Sequence, residues 1–236
     1  MKVLIIIPAY NEEDSILSVV NNLKKLQIKN VELDYVVIND GSTDNTKEVC
    51  LKNNINFIDL PFNVGIGGAV QTGYKYALYN DYDIAIQFDG DGQHEASYIE
   101  KLISEINKGY DIVIGSRFVQ KLSKFRSTKT RRIGIGFLSN LIYWCTKTRI
   151  YDPTSGFRAC NKKVIKLFAH DYLIDYAEPV SIVTVIKNNY KHSEIPVEMK
   201  ERQTGRSSIR SLKTLYYMIK VSIAIIIKTV SEGKGK

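Results

Sequence analysis

Ile84-Ala85-Ile86-Gln87-Phe88-Asp89-Gly90-Asp91-Gly92-Gln93-His94 reads as a buried strand running into an acidic turn. A short apolar run without alternation is what a strand covered on both faces looks like. Two carboxylates, Asp89 and Asp91, then flank one glycine. Such a pair is costly unless something positive sits on it. A hard divalent cation carrying a diphosphate is a natural occupant: it takes one or two carboxylates and fills its other positions from phosphate oxygens and water. Gly90, lacking a side chain, lets backbone and ligand approach closely. Taken alone, Asp-Gly-Asp equally fits an ordinary turn at a strand end, so its surroundings must decide.

Those surroundings alternate strand and helix. Val3–Ile7, Tyr35–Ile38, Asn56–Leu60 and Ile112–Ile114 read as further strands. Residues Asp14–Leu26, Thr43–Leu51, Gly67–Tyr79 and Ser97–Asn107 read as helices between them. The alternation predicts an α/β fold, a doubly wound, mostly parallel sheet with flanking helices. Ligands of such sheets gather beyond the carboxyl ends of the strands. Three polar clusters fall there: Pro8-Ala9-Tyr10-Asn11-Glu12, Asn39-Asp40-Gly41-Ser42 and Asp89-Gly90-Asp91. Their shared topological position predicts one composite site. Asn63-Val64-Gly65-Ile66-Gly67-Gly68 is not a dinucleotide fingerprint, which would need a glycine at Val70. Its glycines are expected to permit close helix packing.

The second half is less regular. Arg117–Arg132 is basic and reads as loop-rich, Ile133–Thr146 is apolar and aromatic, and Tyr151–Arg158 reads as a turn. Val180–Lys187 reads as a helix and Ser193–Met199 as a strand. No linker divides the 236 residues, a length acceptable for one α/β unit. The net charge of +8 is unevenly spread: nine Lys and Arg and no acid stand between Asp111 and Asp152, and nine basic against two acidic residues from Lys200 to Lys236. A basic second half suits phosphate groups or anionic lipid. With no recognisable recognition module, nucleic acid is not an expected partner. Cys50, Cys145 and Cys160 are odd in number and scattered, so they read as reduced thiols of a cytoplasmic protein. The apolar start ends at Pro8 and an acidic stretch, which fits a buried strand better than a signal peptide.

Ile-Pro-Ala-Tyr-Asn-Glu-Glu at 7–13, Val-Ile-Asn-Asp-Gly-Ser-Thr-Asp at 37–44 and Asp-Gly-Asp-Gly-Gln-His at 89–94 together resemble the family 2 glycosyltransferases. Gly-Ser-Arg at 115–117, Asp-Pro-Thr-Ser-Gly-Phe-Arg at 152–158 and Glu-Arg-Gln-Thr-Gly-Arg-Ser-Ser at 201–208 bring the resemblance closest to the polyprenyl- and dolichyl-phosphate hexose synthases. The resemblance implies a GT-A fold, a nucleotide-sugar donor, Mg²⁺ or Mn²⁺, and an inverting transfer. It implies that Pro8, Ala9, Tyr10, Glu12 and Asp40 line the nucleoside pocket, where a carboxylate can accept from base or ribose donors. Asp89, Gly90 and Asp91 would hold the donor diphosphate, and Asp89, Asp91 and Gln93 the metal. Ser42 reads equally as a cap of the next helix, and His94 as a packing or hydrogen-bonding group. Members of that family often carry Lys where Ile66 stands, so this loop gains no support as a phosphate contact.

Charge developing on the departing diphosphate calls for the metal on Asp91 and Asp89, and for Arg202, whose planar fork and permanent charge suit the task. A lipid-phosphate acceptor is already largely ionised and needs positioning more than deprotonation. Arg117 and Arg131 are the candidates for gripping it. Asp152 is expected to be essential, as a general base toward a sugar hydroxyl, as a donor-sugar contact, or as the group orienting Arg158. Glu178 is the other base candidate. Alternatives stay open: a family 2 enzyme extending a glycan, or a non-catalytic nucleotide-sugar-binding subunit. UDP-sugar is favoured over GDP-mannose, and the sugar is open among glucose, N-acetylglucosamine and mannose.

Leu212–Val230 is apolar but broken by lysines, and Val221–Ile227, its longest charge-free part, is too short to span a bilayer. It reads as a basic amphipathic helix in the headgroup layer, with Tyr216-Tyr217 at interfacial depth. Residues 1–208 are thus expected to form the catalytic unit, and 209–236 a C-terminal segment associated with the inner face of the cell membrane. A small membrane protein or a second copy of the chain is a further expected partner.

Overall fold

Val3, Leu4, Ile5, Ile6 and Ile7 are fully buried because β1 (Lys2–Ala9) runs through the middle of the sheet. The computed structural model describes residues 1–119, 129–175, 177–199 and 211–231, without the side chains of 129–131 and 211–215. The other strands are β2 (Glu32–Asn39), β3 (Phe57–Asp59), β4 (Ile84–Gln87), β5 (Ile112–Ser116), β6 (Arg158–Asn161) and β7 (His192–Pro196). They form one sheet in the order β3-β2-β1-β4-β6-β5-β7. Of these seven, β6 is antiparallel to both its neighbours, and every other pairing is parallel. The mostly parallel sheet read from the sequence is the one observed.

Alternate residues of β1 serve opposite faces, as the two-residue strand period requires. Val3, Ile5 and Ile7 meet α1 (Ile16–Lys24), α2 (Thr46–Lys52) and α4 (Ile99–Asn107). Leu4 and Ile6 meet α3 (Gly65–Tyr79), α5 (Lys129–Thr146), α6 (Lys162–His170) and α7 (Ala177–Lys187). Helices cover both faces, so the sheet is doubly wound. The α3 glycines allow close approach: a Cβ on Gly73 would stand 2.2 Å from the Ile6 side chain, and one on Gly67 2.2 Å from the Ile174 carbonyl oxygen.

Three differences from the sequence reading have local causes. The second helix begins at Thr46 rather than Thr43, because the Asp44 carboxylate accepts from the Thr46 N–H at 2.9 Å. Residues 158–170 hold β6 and α6, which the sequence reading passed over. Asn161 ends the strand and caps the helix, its side chain accepting from the Lys163 and Val164 N–H groups. Finally, α5 begins at Lys129, inside the segment read as loop-rich.

The last helix, α8 (Ser211–Ser231), buries Val221 and Ile225 in the same core cluster as α5 and α7. Full burial of two such side chains contributes about 3–6 kcal/mol. Tyr217, Met218 and Ala224 pack partly buried against that cluster, while Ile219, Ile223, Ile226, Ile227 and Val230 stay exposed, as do Ile133, Phe137 and Trp144 on α5. Among the described residues no helix is long and apolar enough to cross a membrane.

Candidate active site

The carboxyl ends of β1, β2 and β4 open onto one cleft of about 380 Å³. Pro8, Ala9, Tyr10, Glu12 and Asp40 line it together with Asp89, Gly90 and Asp91. The three polar clusters singled out in the sequence therefore converge. Asn63, Gly65 and Ile66, at the start of α3, complete the wall. The sequence reading treated their glycines as packing devices and missed this second role.

Hydrogen bonds between the loops fix the cleft. Ser15 donates from its hydroxyl to the Gly90 carbonyl at 2.8 Å and lies 2.8 Å from Glu12 Oε2, tying the β1 loop to the acidic turn. Asp40 donates its N–H to Ala9 O at 2.9 Å, and its Oδ1 accepts from the Val64 N–H at 2.8 Å. Ser42 does not cap α2. Its hydroxyl accepts from the Asn11 N–H at 3.0 Å and donates to Asn39 Oδ1, joining the first two clusters.

The acidic turn is braced from beneath. The Asp89 N–H donates to His94 Nδ1 at 3.2 Å, so in the neutral ring the proton sits on Nε2, which faces Asp89 Oδ2 at 3.5 Å. The His94 ring stacks on Phe157 with centroids 4.8 Å apart and meets the Phe88 edge at 5.3 Å. Burial holds its pKa down at about 4, against the pull of Asp91 and with a further push from Arg117. The imidazole is therefore neutral at pH 7 and contributes no charge to the site. His94 packs and hydrogen-bonds, as its sequence setting implied.

Asp91 Oδ1 accepts from the Gln93 N–H at 3.0 Å, closing the turn and placing Gln93 beside the two carboxylates. Gln87 Nε2 lies 3.4 Å from Asp89 Oδ1. The 152–157 turn covers this pair from the other side. A Cβ on Gly156 would stand 2.7 Å from Gln87 Nε2 and 3.1 Å from Asp89 Oδ1, so no larger residue fits without moving the carboxylate.

These residues suit a divalent cation that arrives with its substrate. Among the described residues no group of three or more His, Cys, Asp or Glu side chains forms a ready cage. Two carboxylates on a partly exposed turn, with a neutral histidine behind them, offer the hard oxygen donors such a cation takes and room for phosphate oxygens.

Beyond the turn lies a buried ion pair. Arg117, just after β5, donates from Nε to Asp152 Oδ2 and from Nη2 to Asp152 Oδ1, both at 2.7 Å. The Arg117 N–H adds a third bond to Oδ2 at 3.1 Å. Asp152 is fully buried and Arg117 is 9% exposed. Asp152 thus meets Arg117 rather than Arg158. Arg158, also fully buried, donates instead to the carbonyls of Ser155 and Pro153 and to the Ser181 hydroxyl, pinning the turn to α7. Glu194 of β7 accepts from the backbone N–H groups of Tyr151 and Asp152, a contact with no local sequence signal. Glu178, at the start of α7, has its carboxyl pushed above the ordinary range by burial and by nearby Asp89, while Arg158 opposes the shift. Arg202 and the Arg131 side chain lie outside the described residues.

A UDP-N-acetylglucosamine–dolichyl-phosphate N-acetylglucosaminyltransferase of Methanococcus voltae is 33% identical over 222 residues, covering 83% of this chain and 84% of the relative. A polyprenol monophosphomannose synthase of Mycolicibacterium smegmatis is 26% identical over 232 residues, covering 94% and 86%. Glucosyl-3-phosphoglycerate synthase from Mycobacterium tuberculosis, solved with Mn²⁺, UDP and phosphoglyceric acid, superposes with a TM-score of 0.68 at 16% identity, over 99% of this chain and 78% of that one. That likeness extends to the fold. The family model for glycosyl transferase family 2 matches residues 4–172, from the middle of β1 through the acidic turn and the Arg117–Asp152 pair to the end of α6, and the chain belongs to that family.

Proposed function

We propose that the chain is a metal-dependent, inverting glycosyltransferase that moves a hexose from a nucleotide-sugar to polyprenyl phosphate. The observation that carries this reading is the convergence of Asp40, the β1 loop and the Asp89–Asp91 turn on one cleft. The two polyprenyl-phosphate relatives span most of this chain, which supports the acceptor class. Pro8, Ala9, Tyr10, Glu12 and Asp40 bind the nucleoside; Asp40, already held by Ala9 and Val64, is oriented before the donor arrives. Asp89, Asp91 and Gln93 hold Mg²⁺ or Mn²⁺, which when bound offsets charge on the leaving diphosphate. Gly90 packs close to the end of β1, where a Cβ would stand 3.1 Å from the Pro8 carbonyl oxygen.

The acceptor phosphate oxygen attacks the anomeric carbon as the bond to the diphosphate oxygen breaks, inverting that centre. An ionised phosphate needs no base. Asp152, with both oxygens on Arg117, then serves to aim that guanidinium rather than to take a proton. Arg117 and Arg131 grip the acceptor phosphate, and Arg202 stabilises the departing diphosphate. UDP is the favoured nucleotide, consistent with the donor named for the Methanococcus voltae relative. Residues 1–208 form the catalytic unit. The exposed apolar residues of α5 and α8, with the basic 209–236 segment, support peripheral attachment to the inner face of the cell membrane, unaided or with a small membrane protein or second copy.

A panel of UDP- and GDP-sugars with short-chain polyprenyl phosphate and Mn²⁺ or Mg²⁺ tests the proposal. It predicts lipid-linked hexose and released UDP. A product extended on a sugar hydroxyl, with no lipid-linked hexose, would establish the glycan-extending alternative instead.

A further inference from the structure

Glu194 sits on β7 between Ser193 and Ile195, opposite Ile114 in the parallel β5–β7 ladder. Ile195 and Val197 enter the core on the α4 side, so the strand period turns Glu194 to the opposite face, beneath residues 151–152. There its Oε2 accepts from the Tyr151 N–H at 2.7 Å and its Oε1 from the Asp152 N–H at 2.9 Å. A carboxylate can accept with both oxygens at once, whereas an amide of the same shape would set an NH₂ against one of those N–H groups. Arg117, just after β5, clasps the Asp152 side chain. Asp152 is therefore held from both ends: at its backbone by Glu194, and at its carboxylate by Arg117.

We infer that Glu194 is a positioning residue for the acceptor site: by gripping the Tyr151 and Asp152 N–H groups it fixes the Asp152 carboxylate, and through it the direction in which Arg117 presents its guanidinium. The inference rests on the proposed acceptor role of Arg117. A half-buried carboxylate is an expensive way to secure a strand edge, and desolvation pushes its pKa up. The cost is understandable where two adjacent backbone donors must be held in register under a buried ion pair.

Glu194→Gln tests this in two arms. The first follows the Arg117 Nε–H by NMR, assigned with Arg117→Lys. In the wild type it is protected from exchange; in Glu194→Gln it exchanges about tenfold faster, as expected for losing roughly one hydrogen bond's worth of constraint. The second arm measures kinetics with short-chain polyprenyl phosphate. The acceptor KM rises about tenfold on the same reasoning, while the donor KM and nucleotide affinity stay within about twofold. Glu194→Asp, which keeps a carboxylate, recovers part of both effects and serves in its place should Glu194→Gln not fold. An unchanged Arg117 Nε–H in the folded variant, or donor and acceptor KM rising together, would overturn the inference. A wild-type protein that transfers nothing to polyprenyl phosphate would sink the proposed function alone, and the exchange arm would still decide the role of Glu194.

Discussion

Arg117 and Asp152, 35 residues apart in sequence, form a two-pronged buried ion pair with both N–O distances at 2.7 Å. The fork suits guanidinium and carboxylate together, and neither Lys nor Asn reproduces it. The pair joins the end of β5 to the turn that covers Asp89.

Asp152→Asn removes the charge opposite a buried guanidinium. Breaking such a pair at one end costs about 3–5 kcal/mol. Urea unfolding of the variant should show that loss, and any folded fraction should have a raised acceptor KM. A fully stable Asp152→Asn protein with normal acceptor kinetics would mean the pair orients nothing.

His94 makes stability depend on pH. Its pKa is held near 4, below the ordinary 6.5, so between these values the unfolded chain binds more protons than the folded one. The contribution of the neutral His94 ring to stability is therefore fully present above pH 6.5 and is lost as the pH falls toward 4, on the order of a few kcal/mol. Denaturant titrations between pH 7 and 4 check this. His94→Gln should be less stable at pH 7 yet show a flatter slope over the same interval.

The extent to which the sequence foretells these features follows the range of the interactions. The apolar runs Val3–Ile7 and Ile84–Phe88 mark strands covered on both faces, and the polar clusters after them mark the cleft, because both signals are local. Strand β6, Arg-Ala-Cys-Asn, carries no apolar run and lies directly before a helix, so no local signal marks it. Asp152 and Arg158 are close in sequence and invite pairing. The turn between them sends Arg158 toward Ser181 on α7, and leaves Asp152 to Arg117. Glu194 meets its backbone partners across more than forty residues, and such a contact leaves no pattern in the chain.

Gly156→Ala tests the packing of the covering turn on Asp89. The added methyl would meet Gln87 Nε2 at 2.7 Å and the Asp89 carboxylate oxygens at 3.1 and 3.3 Å. Overpacking of this kind costs about 1–3 kcal/mol. Displacement of the carboxylate should also weaken Mn²⁺-dependent nucleotide binding by about tenfold, equivalent to roughly 1.4 kcal/mol. Calorimetric titration of UDP with and without Mn²⁺ reads the effect. Unaltered metal-dependent affinity would show that Asp89 tolerates the methyl.

The exposed face of α8 should carry membrane attachment. Ile223 and Ile227 are 52% and 62% exposed and do not belong to the core. Replacing both with Asp should leave the unfolding midpoint nearly unchanged and abolish flotation with anionic vesicles, since each apolar side chain withdrawn from the interface forfeits about 1.5–3 kcal/mol. Robust flotation of the wild-type chain alone would remove any need for a membrane-protein helper. Undiminished flotation of the double variant would place attachment elsewhere.

In the proposed reaction Asp89 and Asp91 act on a departing nucleoside diphosphate through a divalent cation. The most direct measurement is transfer from radiolabelled UDP-sugar to short-chain polyprenyl phosphate, followed with Mn²⁺, with excess chelator, and in Asp91→Asn. Metal-dependent formation of lipid-linked hexose, with a fall of about 10²–10³-fold in the variant and restoration when Mn²⁺ follows the chelator, is the predicted result. Transfer that continues undiminished in chelator, or in Asp91→Asn, would contradict it.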